Sequence, residues 1–272
     1  KTSQSEFRII GLPAEEFPNI GEVEDVNNQL SFNKDLFKEM IRKTAFCASI
    51  DESKGVIVGV LLELEERKVN MVALDGFRMA VTREDMINKE EGKVIIPAKI
   101  LNEIYKILSE NEKEEEVNIV ISNKKAVLLL ERTKIVIRLL EGEFIKYKEI
   151  IPKENPIKII VNRNEMVEAI ERASLLAKEG KNNLIKCKLQ ENLFTITSRS
   201  DEGTVKEELI VEKEGEDLEI GFNSKYLMEA LRAVDDERVL LEFKTGTSPC
   251  LVRPVSGSQY EYLILPVRIS AS

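Results

Sequence analysis

Apolar residues recur along this chain at two periods, and the two alternate in a fixed order. After Leu30-Ser31-Phe32 they fall at Leu36, Phe37, Met40, Ile41, Thr44, Ala45 and Ala48, a helical stripe with Asn33 placed to cap it. A second stripe follows Pro97, with Ile100, Leu101, Ile104, Ile107 and Leu108 inward. A third opens at Asn162 and turns Met166, Val167, Ile170, Ser174 and Ala177 inward; a fourth follows Asn223-Ser224 with Tyr226, Leu227, Ala230, Leu231 and Val234. Between them the pattern predicts strands over 55–64, 69–74, 93–96, 117–122, 125–131, 134–140, 159–161, 184–189, 193–198, 205–211, 218–222, 238–243, 250–255 and 260–269. A strand is also expected over 7–10, with no neighbouring sheet to join, so the chain reads as part of something longer. Asp75-Gly76 interrupts two apolar runs and predicts a tight turn, because Gly accepts positive φ and Asp bonds its own downstream backbone.

Laid over one another, the halves agree: strand, helix, three strands, then strand, helix, three strands. Phe32-Asn33-Lys34 lies over Val161-Asn162-Arg163, and Lys99, Glu103 and Lys106 lie over Lys225, Glu229 and Arg232. Most connections are too short for crossover helices, so the expected class is α+β, with mainly antiparallel sheets and the helices on one face. Phe17-Pro18-Asn19 and 22–28 read as linker. So does Ile151-Pro152-Lys153-Glu154-Asn155-Pro156, which divides the chain into 1–29, 30–152 and 153–272.

Charge sharpens this picture. The net charge of −9 argues against a globally basic nucleic-acid binder, yet the cations are not scattered. Lys34, Lys38, Arg42, Lys43, Lys99, Lys106, Arg163, Arg172, Lys225 and Arg232 occupy the outer helix faces, while acids gather over 110–116 and 212–219. Helices lining one side of an assembly would make that side cationic, which suits sequence-independent, salt-sensitive contact with phosphates. Glu39, Glu103, Glu168, Glu171 and Glu229 dilute the patch, and if they pair with those cations the face instead fits an interaction protein that needs no DNA.

The chain contains no histidine, which removes the commonest metal ligand and general base. Cys47, Cys187 and Cys250 lie far apart among apolar neighbours, as reduced core residues of a cytoplasmic protein do. No run approaches a membrane span. Asp75 and Arg78 near Glu63 and Glu65 do not make a nucleophile–base pair, and no metal or phosphate-loop motif is present, so no catalytic, metal or cofactor site is expected.

Several stretches carry a resemblance in order and spacing. They are Leu12-Pro13-Ala14-Glu15-Glu16-Phe17-Pro18-Asn19, Ala73-Leu74-Asp75-Gly76-Phe77-Arg78-Met79-Ala80 and Glu143-Phe144-Ile145-Lys146-Tyr147. Ile220-Gly221-Phe222-Asn223-Ser224-Lys225-Tyr226-Leu227 and Leu263-Ile264-Leu265-Pro266-Val267-Arg268-Ile269 continue it. The chain resembles the bacterial DNA polymerase III β subunit family of sliding clamps. By that resemblance, residues 1–29 are the end of a first clamp domain and its linker, 30–152 a middle domain and 153–272 a C-terminal one.

The resemblance implies a homodimeric ring of six similar domains, sheets outside and two helices per domain on the inner face, encircling duplex DNA non-specifically and topologically. The family's partners are the replicative polymerase α subunit, the clamp-loader δ subunit, other polymerases and mismatch-repair proteins. They dock through short peptides with a leading Gln and trailing Leu and Phe. By position the peptide groove falls on Ile57, Leu74, Gly76, Phe77, Arg78, Met79, Pro152, Asn223, Tyr226, Thr247, Pro249, Leu263, Leu265, Pro266, Val267 and Arg268. Leu74, Met79, Leu265 and Val267 are expected to line an apolar hole, and Arg78, Asn223 and Arg268 to orient peptide carbonyls or a carboxylate. Phe77 and Val267 stand where relatives often carry His and Met, and Lys54-Gly55-Val56 replaces a tyrosine pair that some relatives hold near DNA, leaving Lys54 as that loop's DNA contact. Without most of a first domain, the expected state of this chain is a monomer, or a non-native dimer, with no processivity activity but an intact peptide site. Ser270-Ala271-Ser272 runs past the usual terminus.

Overall fold

The computed structural model describes residues 3–16, 29–88, 90–110, 115–122, 124–130 and 132–269. The expected breaks at Phe17-Pro18-Asn19 and 22–28, most of the acidic run after Glu110, and Ser270-Ala271-Ser272 lie outside these residues.

The first module runs β1 (Gln29–Asn33), α1 (Lys34–Thr44), β2 (Gly59–Glu65), β3 (Lys68–Leu74), β4 (Arg78–Asp85), β5 (Gly92–Pro97), α2 (Ala98–Glu110), β6 (Glu116–Ile121), β7 (Lys125–Leu129) and β8 (Lys134–Arg138). A short α3 (Tyr147–Ile150) leads out. The second module repeats the order: β9 (Ile157–Asn162), α4 (Arg163–Ala177), β10 (Leu184–Gln190), β11 (Leu193–Ser200), β12 (Gly203–Ile210), β13 (Glu212–Glu214), β14 (Leu218–Asn223), α5 (Ser224–Ala233), β15 (Arg238–Phe243), β16 (Cys250–Pro254) and β17 (Tyr260–Ile264).

Asparagine opens three of the helices. Asn33 Oδ1 accepts from the amides of Asp35 and Leu36, Asn162 Oδ1 from Glu165 and Asn223 Oδ1 from Lys225, each satisfying an orphan donor of the first turn. The helices then bury their stripes: Phe37, Met40 and Ile41 on α1, Leu101, Ile104 and Leu108 on α2, Met166 and Ile170 on α4, Leu227 and Leu231 on α5. Ile100, expected inward, is 37 % exposed, because Leu101 and Ile104 take the packed face of α2.

Sheet topology makes the repeat explicit. In the first module β1-β6-β7-β8 form one sheet and β4-β3-β2-β5 another; in the second, β12-β11-β10-β14 match the latter and β9-β15-β16-β17 the former, with every pairing antiparallel. The modules are then joined edge to edge. β17 pairs with β4, Tyr262 opposite Ala80 and Leu263 opposite Met79, so one nine-stranded sheet runs through both. Alternation along it separates two apolar layers. Ala73, Ala80 and Tyr262 face the helices in the main core, while Leu74, Met79 and Leu263 face away, into a second cluster with Leu61, Val72 and Tyr147.

Three expectations fail for local reasons, and one acidic stretch pairs as a further strand. Residues 7–10 form no strand; Phe7, Ile9 and Ile10 are exposed and pair with no strand among the described residues. The strand expected from 55 begins at Gly59, since Gly55 takes φ +65° inside a pair of 3-10 turns. Residues 212–214, within the stretch where acids gather, pair with β9 as β13. The last strand stops at Ile264, and the tail beyond it is held by single bonds to two different modules.

Candidate functional site

The turn after β3 is built by Asp75. Its Oδ1 accepts the amides of Phe77 at 2.8 Å and Arg78 at 3.1 Å, and Gly76 adopts φ +94°. The turn presents Phe77, 55 % exposed, its ring stacked on Tyr226 of α5 with centroids 6.1 Å apart. The tail then seals one side: Leu265 N–H donates to the Phe77 carbonyl at 2.9 Å, and Val267 N–H to the Gly221 carbonyl at 2.8 Å. The tail therefore bridges the turn of the first module and β14 of the second.

Most of the predicted groove residues meet here. Leu74, Met79 and Leu263 are buried, with Ile57 packed against them and Ile151, the neighbour of half-buried Pro152, on the same cluster. They make an apolar floor; of the four residues expected to line an apolar hole, Leu74 and Met79 belong to this floor and Leu265 and Val267 to the tail beside it. The exposed apolar rim is Phe77 and Leu265, with Pro266 and Val267 half-buried and Gly76 and Arg268 exposed. Cys250 pairs with Ile264, which sets Pro249 and exposed Thr247 level with the tail. Asn223 spends its carbonyl oxygen on the α5 cap.

Arg78 departs furthest from its expected role as a donor to peptide. It is 9 % exposed and its guanidinium is already engaged. Nε donates to Asp75 Oδ2 at 3.1 Å, Nη1 to Glu229 of α5, and Nη2 to the Phe46 carbonyl at 3.1 Å, while the Tyr226 ring lies 4.6 Å from Cζ. It fastens the turn to the second module.

The helix face is also less bare than its sequence. The glutamates that dilute it are all paired: Glu39 with Arg42 and Lys43, Glu103 with Lys106, Glu168 with Arg172, Glu171 with Arg232, and Glu229 with Lys225. Lys38 meets Asp35, Lys99 meets Glu52 and Arg163 Nε donates to the Asp236 carbonyl. Lys34 stands at the α1 N-terminus, its amide donating to the Glu115 carbonyl, and Lys54 lies in the exposed loop before β2. Exposed pairs of this kind are weak and open to exchange, so they reduce the field of the face without fixing it.

Two polar arrangements escaped the sequence reading. On β2, buried Glu63 accepts from Tyr147 Oη at 2.5 Å and Asn70 Nδ2 at 3.1 Å, and lies 2.9 Å from Lys93 Nζ. Beside it is a cavity of about 840 Å³, lined by Leu61, Ile95, Leu140, Phe144 and Tyr147 but by none of the predicted groove residues. Further along the same sheet, Lys158, Glu242, Arg253, Glu261 and Arg83 alternate in sign across five strands. The signal lay in the acids: Glu63, Glu242 and Glu261 are buried carboxylates in otherwise apolar strands, with their cations half-exposed or exposed beside them.

Comparison with known proteins follows the same two modules. Residues 31–146 match the family model of the DNA polymerase III beta subunit central domain, and 148–268 that of its C-terminal domain. The chain belongs to the DNA polymerase III beta subunit family. The beta sliding clamp of Staphylococcus aureus is 35% identical over 270 residues, which cover 98% of this chain and 71% of that one. The solved sliding clamp of Bacillus subtilis superposes with a TM-score of 0.93 at 32% identity, covering 99% of this chain and 71% of that chain. The Thermotoga maritima beta subunit does so with 0.91, also at 32%, covering 99% and 73%. The α+β clamp architecture of repeated antiparallel modules expected from the sequence is therefore that of the family. Membership in the beta clamp family carries its general role in DNA replication: a processivity factor of the bacterial cytoplasm, an accessory subunit that is itself non-catalytic.

Proposed function

We propose that this chain supplies two of the three modules with which each subunit of a dimeric ring encloses duplex DNA, and that partners dock on the rim between Phe77 and Val267. The observation that carries the ring is the joint itself. β17 of one module pairs with β4 of the other, and the equivalent edges, β8 of the first module and β12 of the second, are terminal strands of their sheets among the described residues. Repeating that joint with a third module of the same kind curves the series and closes it head to tail. At the β12 end, Ile210 is 84 % exposed and Leu175, on the α4 that packs there, 66 %; both are apolar groups suited to a buried contact. The domain division at 152 and 153 belongs to the same reading.

The groove reading rests on the convergence of turn, tail and α5 over an apolar floor. The partners are the polymerase α subunit, the clamp-loader δ subunit, other polymerases and mismatch-repair proteins, each bringing a Gln-Leu-Phe type peptide to the nucleoid-associated clamp at replication forks. This chain alone is a monomer and the ring-competent chain a homodimer.

The paired helix face favours a second reading, a scaffold that binds proteins and does not encircle DNA. The ring-competent protein loaded on nicked circular duplex separates them. Retention through high salt until the circle is linearised is the expected result, and release by salt alone would refute encirclement.

A further inference from the structure

The segment leaving α5 gathers three of the cations read as DNA-facing, and it takes them from both modules. Asp235 Oδ2 accepts from Arg42 Nη2 at 2.6 Å and lies 3.0 Å from Lys43 Nζ, both on α1. Asp236 gives its carbonyl to Arg163 Nε at 3.0 Å, at the first residue of α4. Glu39 completes the group, with its carboxylate 2.6 Å from Arg42 and 3.5 Å from Lys43.

Exposure separates the members. The Arg42 and Lys43 side chains are 27% and 24% exposed, whereas Asp235 is 62% exposed. The cations are therefore held by packing along α1 and by Glu39, and the aspartate covers them from the solvent side. An exposed carboxylate of this kind gains little from its partners, since water and salt screen the attraction. A phosphodiester presents the same acceptor face and one negative charge, and its arrival also releases condensed counterions. At this position the two compete for the same donors.

We propose that Asp235 is a built-in counter-charge that holds a phosphate position on the helix face and yields it when DNA arrives. This rests on the reading of that face as DNA-facing. The displaced carboxylate stays attached a few ångströms away and repels the incoming phosphate, so the contact is made but kept weak. For a protein that must hold DNA without gripping one register, a lowered charge at the meeting point of two modules limits friction along the duplex. Asp235 acts through Arg42 and Lys43, as a positioning residue.

The test is fluorescence anisotropy of a short linear duplex against this chain over a range of salt concentrations, with Asp235→Asn and Asp235→Glu beside wild type. Asparagine keeps the size and one acceptor while removing the charge. Asp235→Asn is expected to bind roughly three- to ten-fold tighter at low salt. The slope of log affinity against log salt should steepen by less than about 0.9, the value of a whole phosphate contact, because no freed carboxylate then takes up a counterion as the phosphate arrives. Asp235→Glu restores the charge and should return the slope to that of wild type. A merely structural aspartate would change melting temperature without moving the slope. If wild type binds and Asp235→Asn matches it in affinity and slope, the counter-charge is refuted and the DNA-facing reading stands. If neither variant nor wild type binds at low salt, both are refuted, because uncovering the cations should expose the grip.

Discussion

Glu63 shows how one carboxylate can organise a sheet face. It is 2% exposed, and burial by itself pushes its pKa up; the Tyr147 hydroxyl and the ammonium groups of Lys93 and Lys148 outweigh that and take it down to about 2 from an ordinary 4.5. A group whose folded pKa is depressed contributes stability above its unfolded value and loses it as pH falls toward the folded one, here between about 4.5 and about 2. The full shift corresponds to roughly 3 kcal/mol, an upper bound because Lys93 and Lys148 themselves lie largely in solvent. Urea unfolding of wild type should therefore lose about 1–3 kcal/mol between pH 5 and pH 3 from this residue. Glu63→Gln, which keeps an acceptor for Tyr147 but not the charge, should cost about 2 kcal/mol at pH 7 and flatten the acid limb. Equal acid limbs in the two proteins would place the titration elsewhere.

Elements were legible in the sequence where packing follows period, and illegible where a single backbone bond decides. The helices announced themselves through stripes and asparagine caps, because burial needs the stripe and the first turn needs an acceptor. The floor of the candidate groove was placed by the family resemblance and not by period, since Leu74, Met79 and Leu263 lie on the sheet face turned away from the helices, in the second apolar cluster. Arg78 was not legible, since Glu229 lies 151 residues away and its third partner is a backbone carbonyl. Nor was β13, whose Glu-Lys-Glu has no apolar period and pairs through main chain alone. The tail after Ile264 belongs with these. It reaches β14 through Val267 N–H, and Gly221 permits that approach because any Cβ there would come 2.7 Å from the Val267 carbonyl oxygen and 2.9 Å from Ile269 Cγ1. Gly221→Val should accordingly push the tail off while β14 stays paired to β10. Hydrogen exchange at the Leu265 and Val267 amides should quicken by at least about tenfold, with loss of Gln-Leu-Phe peptide binding in titration. Unchanged exchange would mean that the strand shifts to admit valine and the tail does not depend on this glycine.

Across the whole molecule the decisive feature is that the two modules meet as a sheet interior meets itself. Alternation along β17 gives the joint an ionic face and an apolar one. Glu261 bridges Arg83 and Arg253 on one side, and Tyr262 on the other packs against Phe46 of the first module, ring centroids 5.9 Å apart. Backbone pairing of β17 with β4 lies between, and the Arg78–Glu229 and Arg42–Asp235 contacts add ties from the turn and from α1. A joint of that kind transmits unfolding, so the chain should melt in calorimetry as one cooperative transition. Tyr262 tests this with two substitutions of opposite sign. It is fully buried, and its hydroxyl has no hydrogen-bond partner among the described residues. Tyr262→Phe removes an unsatisfied polar atom while keeping the ring, and should raise stability by up to about 1 kcal/mol. Tyr262→Ala leaves a cavity at the joint, should cost about 3–5 kcal/mol, and should resolve the single transition into two as each module melts at its own temperature. A Tyr262→Ala protein that is destabilised yet still melts in one sharp step would show that backbone pairing and the flanking ion pairs couple the modules without the ring. A Tyr262→Phe protein less stable than wild type would show that the hydroxyl has a partner.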